Sequence, residues 1–368
     1  MSRDPILLVG PLPPPLNGMT VMTALARLGL SREGVPLAFL DLSDHRPIGN
    51  VGRLDARNVL LAFRHSFRML GALARTRPRL VYLPIAQSTL GFLRDALLIL
   101  AARCHRVPVV VHLHGSSFGT FYRGANGLVR AVVRWCLSEV PLAIVLSDRS
   151  RSAFEGLVPA DRIRVLPNGI PAPPGFLPSP DGEDRCDVLY MSNLIEGKGY
   201  RDLVHAIPAV ARERPDVRVR LAGEWSSDRE RREVLAEVRR LGIAEHVRFV
   251  SSATGLRKAQ LFRGARVFVF PPTAVEGQPV VILEAMSHGL PVVSTPLGGI
   301  RETVLENETG LLVPPGRPEI LAKAILRLLQ DEPLRARLGE AGRRRFHREH
   351  GFVSFQRGLK SLLEPEAC

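Results

Sequence analysis

"FVFPPTAVEGQPVVILEAMSHGLPVV", residues 268–293, reads as strand, loop, helix and strand in a single pass. The first apolar run stops at Pro271-Pro272, and the last begins after Gly289-Leu290-Pro291. Between them residues 280–288 are helix-forming, with Pro279 suited to the first helical turn. Two strands joined by a helix in this way form a βαβ unit, which places the strands parallel.

The same alternation runs outward in both directions. Upstream in the second half lie "CDVLYMS" (186–192), "VRVRLAG" (217–223), "HVRFVS" (246–251) and "ARVFVFPP" (265–272). The first half carries "PILLVG" (5–10), "LVYLP" (80–84), "VPVVVHLHG" (107–115) and "LAIVLS" (142–147), with helical stretches over 17–30, 56–77 and 90–105. These runs are continuously apolar rather than alternating, as expected of parallel strands buried on both faces. The fold class is therefore α/β, a doubly wound parallel sheet formed twice. The halves meet at "VLPNGIPAPPGFLPSPDGED" (165–184), where Pro and Gly forbid regular structure and Asn168-Gly169 signals a turn. The expected organisation is a first domain over 1–170, a linker over 171–184, a second domain over 185–345, and a terminal helix in 346–368 packing back on the first. Ligands of such domains sit at the carboxyl ends of the strands, here expected in a central cleft.

Composition narrows the class. A chain of 368 residues suits two domains, and 45% hydrophobic with 23% charged residues is that of a soluble globular protein. The four cysteines are scattered, with no CxxC pair and no zinc spacing, which suggests reduced thiols in a cytoplasmic protein. The N-terminal apolar run is five residues, too short for a signal peptide, and "ALLILAA" (96–102) falls far short of the ~20 residues that span a bilayer. No integral membrane segment is expected. The net charge of +14 is uneven: residues 1–170 hold 21 Arg against 10 acids, whereas residues 171–368 hold 29 basic against 26 acidic. Nucleotide phosphates, acidic lipid headgroups or nucleic acid would suit that excess, and so would a merely solubilising arginine surface. Nucleic acid is disfavoured, because only 6% of residues are aromatic and no RNA-binding signature is present.

Several residues sit where a doubly wound fold binds ligands. In "GPLPPPLNGMT" (10–20), Gly18 opens a helix and could admit a phosphate or sugar to backbone N–H groups, or serve only as a turn glycine. In "HLHGSS" (112–117), His112 and His114 share a strand face, and His114, nearer the carboxyl end, is the functional candidate. No further ligands at metal spacing accompany them. In "SNLIEGKGY" (192–200), Lys198 is flanked by glycines. Only four of the 50 basic residues are lysine, so its use points to a site wanting a compact ammonium. Glu276 falls in the loop before the 280–288 helix and Glu284 about a turn and a half inside it, so the two carboxylates could address two parts of one ligand. "STPLGGIRE" (294–302) adds another glycine pair at a helix start.

Taken together and in order, the Gly18 loop, "HLHGS", "LPNGI", "SNL…KG", "EGQPVVILEAM", "GLPVVST", "GGIRE" and "NETGLLVPPG" resemble glycosyltransferase family 4 over nearly the whole chain. The resemblance implies the GT-B fold, two Rossmann-like domains facing a central cleft. It also implies transfer of a sugar from a nucleotide-diphosphate donor with retention at the anomeric carbon and no obligatory metal or cofactor. By that resemblance Gly18 offers its N–H to the donor phosphate, and His114 sits at the donor sugar. Lys198 binds the diphosphate, Glu276 holds the transferred sugar, and Glu284 accepts from the ribose hydroxyls. Backbone N–H groups around Gly277, Gln278, Pro279 and Val280 add to the phosphate grip. One departure stands out: Ser192-Asn193 occupies the place where the family often has Gly-Arg, leaving Asn193 as an uncharged donor.

The acceptor would be a glycan or lipid-linked molecule in polysaccharide or glycolipid assembly. Arg53, Arg57, Arg64, Arg68 and Arg75 fall on one arc of a helix over 53–77, with Val59, Phe63, Phe67 and Leu70 on a separate face. An arginine face of this kind suits peripheral docking on an anionic membrane from the cytoplasmic side, or simple solvation. Competing readings are an epimerase or hydrolase of the same fold, a nucleic-acid-binding protein, and a catalytically inactive sugar-nucleotide sensor.

Overall fold

The computed structural model describes residues 4–14, 16–43, 56–173, 175 and 185–364, with backbone alone over 56–59. The chain divides into two compact units, Met1–Gly169 with Phe352–Cys368, and Ile170–Gly351. The division differs slightly from the sequence expectation. The chain returns to the first unit at Phe352 rather than at 346, because the π-helical turn Phe346–His350 stays with the second unit, burying Phe346 and His350. Most of the expected linker lies outside the described residues.

The first unit runs β1 (Ile6–Gly10), α1 (Gly18–Arg32), β2 (Leu37–Asp41), α2 (Ala56–Thr76), β3 (Leu80–Pro84) and α3 (Thr89–Cys104). It continues through β4 (Val109–Leu113), α4 (Phe118–Gly124), α5 (Gly127–Leu137), β5 (Ala143–Val145) and β6 (Ile163–Val165). The second unit runs β7 (Cys186–Met191), α6 (Tyr200–Glu213), β8 (Val219–Ala222), α7 (Asp228–Arg240), β9 (Val247–Val250), α8 (Gly255–Arg263) and β10 (Ala265–Phe270). It ends with α9 (Val280–Ser287), β11 (Val292–Ser294), α10 (Ile300–Thr303), β12 (Gly310–Leu312), α11 (Pro318–Gln330) and α12 (Glu332–Arg345), after which α13 (Phe352–Leu363) rejoins the first unit. There α13 lies on α1: Gln356 Nε2 donates to Glu33 Oε1 at 2.8 Å, and Lys360 Nζ donates to the Glu33 carbonyl at 3.1 Å.

Both sheets are six-stranded and parallel, ordered β2-β1-β3-β4-β5-β6 and β12-β11-β10-β7-β8-β9. The inner strands β1, β3 and β4 are buried throughout, which is why their sequences read as unbroken apolar runs. Three strands escaped the sequence reading: β2, β6 and β12. All three are edge strands, where the apolar signal weakens, and β6, for example, exposes Arg164; the fourth edge strand, β9, kept a readable run. In the second sheet the chain winds outward from β7 to β9, then crosses to β10 on the other side. The strand order therefore reverses between β7 and β10, and a doubly wound sheet binds ligands where that happens.

The loops leaving β7 and β10 are interlocked at that point. Gly199 has φ +77°, and a Cβ there would lie 1.7 Å from the Pro271 carbonyl oxygen. Thr273 N–H and Ala274 N–H both donate to the Gly197 carbonyl, at 2.9 and 3.1 Å. On the other side Gly298, with φ +57°, would place a Cβ 1.9 Å from the Glu276 carbonyl oxygen, and Gly299 N–H donates to that same carbonyl at 3.1 Å. Gly199→Ala combines a left-handed φ with a backbone clash, so it should destabilise the second unit by about 2 kcal/mol or more. Urea unfolding of the full chain tests this, and an unchanged midpoint would contradict the interlock.

Candidate functional site

Lys198 arrives at the switch point on the loop after β7 and Glu276 on the loop after β10. Lys198 Nζ lies 2.6 Å from Glu276 Oε1, with the lysine side chain 28% and the glutamate 16% exposed. The contact joins residues 78 positions apart, through the two loops that the glycines hold together. A pair so placed is still partly open to solvent, so it contributes little stability, about 1 kcal/mol at most.

Glu284 is paired as well. Lys258 Nζ, on α8, lies 2.6 Å from Glu284 Oε1. Glu284 Oε2 is sealed from solvent and has no hydrogen-bond donor among the described residues. Burial pushes this carboxyl up from its ordinary range, while the Lys258 ammonium draws it back. Sequence reasoning noticed Lys258 only as a scarce lysine. Its partner is 26 residues away on another helix, and no local spacing announces such a contact.

Of the intervening residues, Pro279 departs from its expectation, whereas Gln278 was expected to offer only its backbone N–H. The Gln278 side chain turns inward, with Nε2 donating to Thr303 Oγ1 at 3.2 Å and 3.5 Å from His350 Nδ1, so only its backbone can face a ligand. Pro279 is the N-cap of α9 rather than part of its first turn, and it has no N–H to offer. A helix start leaves open the donors of its first residues, Val280 among them; Ile282 N–H is engaged, donating to the Pro279 carbonyl at 3.1 Å. Gly277 is in backbone contact with Gly299, whose Cβ would lie 2.0 Å from the Gly277 carbonyl oxygen. Asn193 accepts at its carbonyl from Ile195 N–H at 3.0 Å, on the loop that also carries Lys198.

Gly18 and His114 belong to the first unit. Gly18 is exposed, and a Cβ there would meet nothing within 4 Å, so packing does not demand glycine. Asn17 caps α1, its Oδ1 accepting from Thr20 N–H at 3.0 Å while Thr20 Oγ1 accepts from Asn17 N–H at 3.1 Å. His114 follows the end of β4, its ring 3.9 Å from that of His112, whose Nδ1 is 2.5 Å from the Tyr82 hydroxyl. Burial holds His114 at about 4, with the Asn168 side chain acting in the other direction, so its imidazole is neutral at pH 7. Asn168 was legible only as a turn residue; in the structure it is buried beside His114.

On α2, the side chains facing inward are His65, Met69, Ala72 and Leu73. Leu60, Phe63, Phe67 and Leu70 face outward, Phe67 being 72% exposed. Arg64, Arg68 and Arg75 are exposed on the same helix, and Arg68 Nη1 reaches the Asp41 carbonyl at 3.1 Å. Arg53 and the Arg57 side chain lie outside the described residues. Neighbouring helices continue the outward apolar surface with Leu93, Leu97 and Leu100 on α3, and Leu128 and Trp135 on α5. Between residues 56 and 138 there are 12 arginines and a single acid, the buried Asp95. Among the described residues no helix is long and apolar enough to cross a membrane, and no group of three or more His, Cys, Asp or Glu could hold a metal ion.

Residues 185–331 match the family described as "Glycosyl transferases group 1", and residues 19–172 match "Glycosyltransferase Family 4". The chain belongs to glycosyltransferase family 4. It is 28% identical over 246 residues to a phosphatidyl-myo-inositol mannosyltransferase of Mycobacterium leprae, covering 66% of this chain and 63% of that one. It is 29% identical over 261 residues to a GDP-mannose-dependent alpha-(1-6)-phosphatidylinositol monomannoside mannosyltransferase of Mycolicibacterium smegmatis, covering 66% of each. These matches thus span just under two thirds of the relatives' own length. Among solved structures, Anabaena Alr3699/HepE in complex with UDP aligns with a TM-score of 0.75 at 19% identity, over 98% of this chain and 99% of that one. A glycosyltransferase from Rickettsia africae aligns with a TM-score of 0.75 at 15% identity, over 99% and 100%. Such likeness establishes the fold, which is GT-B.

The buried histidines set an acid limit on stability. His65 is held at about 4, by burial first and then by Arg94, Arg68 and Arg64, and His114 is also held at about 4. An unfolded histidine takes up its proton near 6.5. Stability from these groups is therefore complete above pH ~6.5 and is lost as the pH falls towards 4. The urea midpoint should fall between pH 7 and pH 5, and fall less in His65→Leu. Equal falls in both proteins would rule out a contribution from His65.

Proposed function

We propose that this chain is a retaining glycosyltransferase that moves a sugar from a nucleotide-diphosphate donor to a glycan or lipid-linked acceptor in polysaccharide or glycolipid assembly. The observation that carries the reading is the 2.6 Å contact of Lys198 with Glu276 on the two loops flanking the strand-order reversal. The family membership supports it, as do the names of the relatives, one of which is GDP-mannose-dependent.

In the proposed reaction the bond between the anomeric carbon and the diphosphate oxygen breaks, and its electron pair leaves with the nucleotide. The acceptor oxygen bonds to the same face and passes its proton to the departing diphosphate oxygen. Negative charge grows on the departing diphosphate, where the Lys198 ammonium and the N–H groups at the start of α9 meet it. Glu276 takes hydroxyls of the transferred sugar, and Glu284 takes those of the ribose. The neutral imidazole of His114 hydrogen-bonds a sugar hydroxyl without adding charge, and the open start of α1 at Gly18 admits a phosphate oxygen. With charge on the leaving group met by an ammonium and by N–H dipoles, the reaction as proposed has no resident metal.

The outward face of α2, with Phe63, Phe67, Arg64 and Arg68, is proposed to lie on an anionic bilayer, bringing the enzyme to a lipid-linked acceptor at the inner face of the membrane. Exposed aromatic residues beside arginines are the composition of an interfacial helix. The absence of surface acids over 56–138 removes the repulsion that would oppose it.

Two outcomes are expected. Lys198→Ala and Glu276→Ala should each lower transfer by about 100-fold or more while keeping the wild-type melting temperature within a few degrees; in the wild type a nucleoside diphosphate among GDP, UDP and ADP should raise it. Near-normal turnover in either variant, or no response to any of the three, would overturn the site. In vesicle sedimentation, the wild type should pellet with anionic and not neutral liposomes, and Phe67→Ala with Arg64→Glu should remove that preference. Equal pelleting with both kinds of vesicle would overturn the docking face.

A further inference from the structure

Four lysines stand among 50 basic residues, and two of them contact the two glutamates of the 276–284 stretch, each at 2.6 Å. Lys198 is part of the proposed diphosphate site. Lys258 has no role in that scheme, yet α8 and α9 are arranged to present it. Phe262 on α8 stacks on His288, their centroids 5.1 Å apart and their planes at 20°. Lys258 lies four residues before Phe262, and Glu284 four residues before His288. The aromatic contact and the ionic contact are therefore consecutive rungs between the two elements, one helical turn apart. His288 is also fastened to its own helix, with Nδ1 2.9 Å from the Glu284 carbonyl.

We infer that Lys258 is a positioning residue for the donor ribose, holding Glu284 as an ionised, oriented acceptor for the ribose diol. The inference rests on the assignment of Glu284 to the ribose made above. Three observations carry it. Lys258 occupies Oε1 alone, while Oε2 is sealed from solvent and has no donor among the described residues. A carboxylate oxygen kept out of water without a donor is rare in proteins, and a ligand hydroxyl is the group that completes it. A carboxylate presents about four acceptor sites, so one ammonium leaves room for two hydroxyls. Arginine would not serve in the same way. Its planar fork takes both carboxylate oxygens at once, which explains a lysine here in a chain that otherwise uses arginine.

The alternative is that Lys258 merely ties α8 to α9. The two roles separate in the discrimination between a ribonucleoside diphosphate and its 2′,3′-dideoxy form, measured by calorimetry with whichever of GDP, UDP and ADP gives the largest thermal shift. The wild type should prefer the ribose form by about tenfold or more, the loss expected when a buried carboxylate forfeits a hydroxyl partner. Glu284→Gln should erode that ratio. Lys258→Met should erode it too, by weakening the ribose form and leaving the dideoxy form within about twofold of wild type. Lys258→Arg, which keeps an ion pair between the elements, should fold and still lose the preference; it carries the test if Lys258→Met does not fold. A wild type blind to the ribose hydroxyls, or an unchanged ratio in Glu284→Gln, would overturn the ribose assignment and the inference with it. A ratio lost in Glu284→Gln but preserved in both Lys258 variants would overturn the role of Lys258 alone.

Discussion

The loop of residues 271–279 is gripped by glycines on both flanks. Gly197 and Gly199 press on it from the loop after β7, and Gly298 and Gly299 press from the loop after β11. At Gly199, Gly298 and Gly299 the approach is backbone to backbone, with carbonyl oxygens standing where side chains would otherwise be, and at Gly197 the Ala274 Cβ takes that place. Three of the four positions, Gly197, Gly199 and Gly298, also need a left-handed φ, which glycine adopts without penalty. Lys198 sits between Gly197 and Gly199 in sequence, and Glu276 supplies the carbonyl that Gly298 crowds and Gly299 caps. The reach of the two charged side chains is therefore fixed by main-chain contacts rather than by their own packing. Charged groups that are partly exposed would otherwise spread over many rotamers.

Electrostatically the two units divide their labour. The second carries paired charges, Lys198 with Glu276 and Lys258 with Glu284, so the carboxylates of the site are neutralised in place. The first carries an unbalanced excess of arginine over 56–138, and its buried imidazoles at 65, 112 and 114 are kept uncharged by burial. Desolvation outweighs every nearby group in these histidines. For His65 the adjacent arginines push in the same direction.

How much of this was legible in the sequence follows from the range of each interaction. Strands buried on both faces announce themselves by unbroken apolar runs, and the nine so read all exist. The edge strands β2, β6 and β12 were not read, whereas the fourth edge strand, β9, was, although it is only partly buried. Lys198 was legible because lysine is scarce and glycines flank it. Lys258 was not, because its meaning lies in a partner on another helix. Asn168 looked like a turn residue because Asn-Gly usually is one, whereas its burial beside His114 depends on tertiary packing. Gln278 read as part of a binding loop because its neighbours do, and only the position of Thr303 reveals that its amide serves the fold. On α2 the sequence placed Phe63, Phe67 and Leu70 on a face apart from the arginines, and the structure leaves that face exposed.

The pairing of both motif glutamates bears on the kinetics of capture. A free ammonium attracts an anion across a Debye length, whereas an ammonium already closed onto a carboxylate at 2.6 Å projects only a dipole. An incoming anion gains little at a distance from Lys198 or Lys258, and gains most after contact, by partner exchange. Retention at this site is thus governed by the dissociation rate, and ionic strength acts on it weakly. Over 56–138 arginines outnumber acids twelve to one, and although Arg79, Arg94 and Arg103 pair with carboxylates, the excess lets the encounter rate carry more of the salt dependence there.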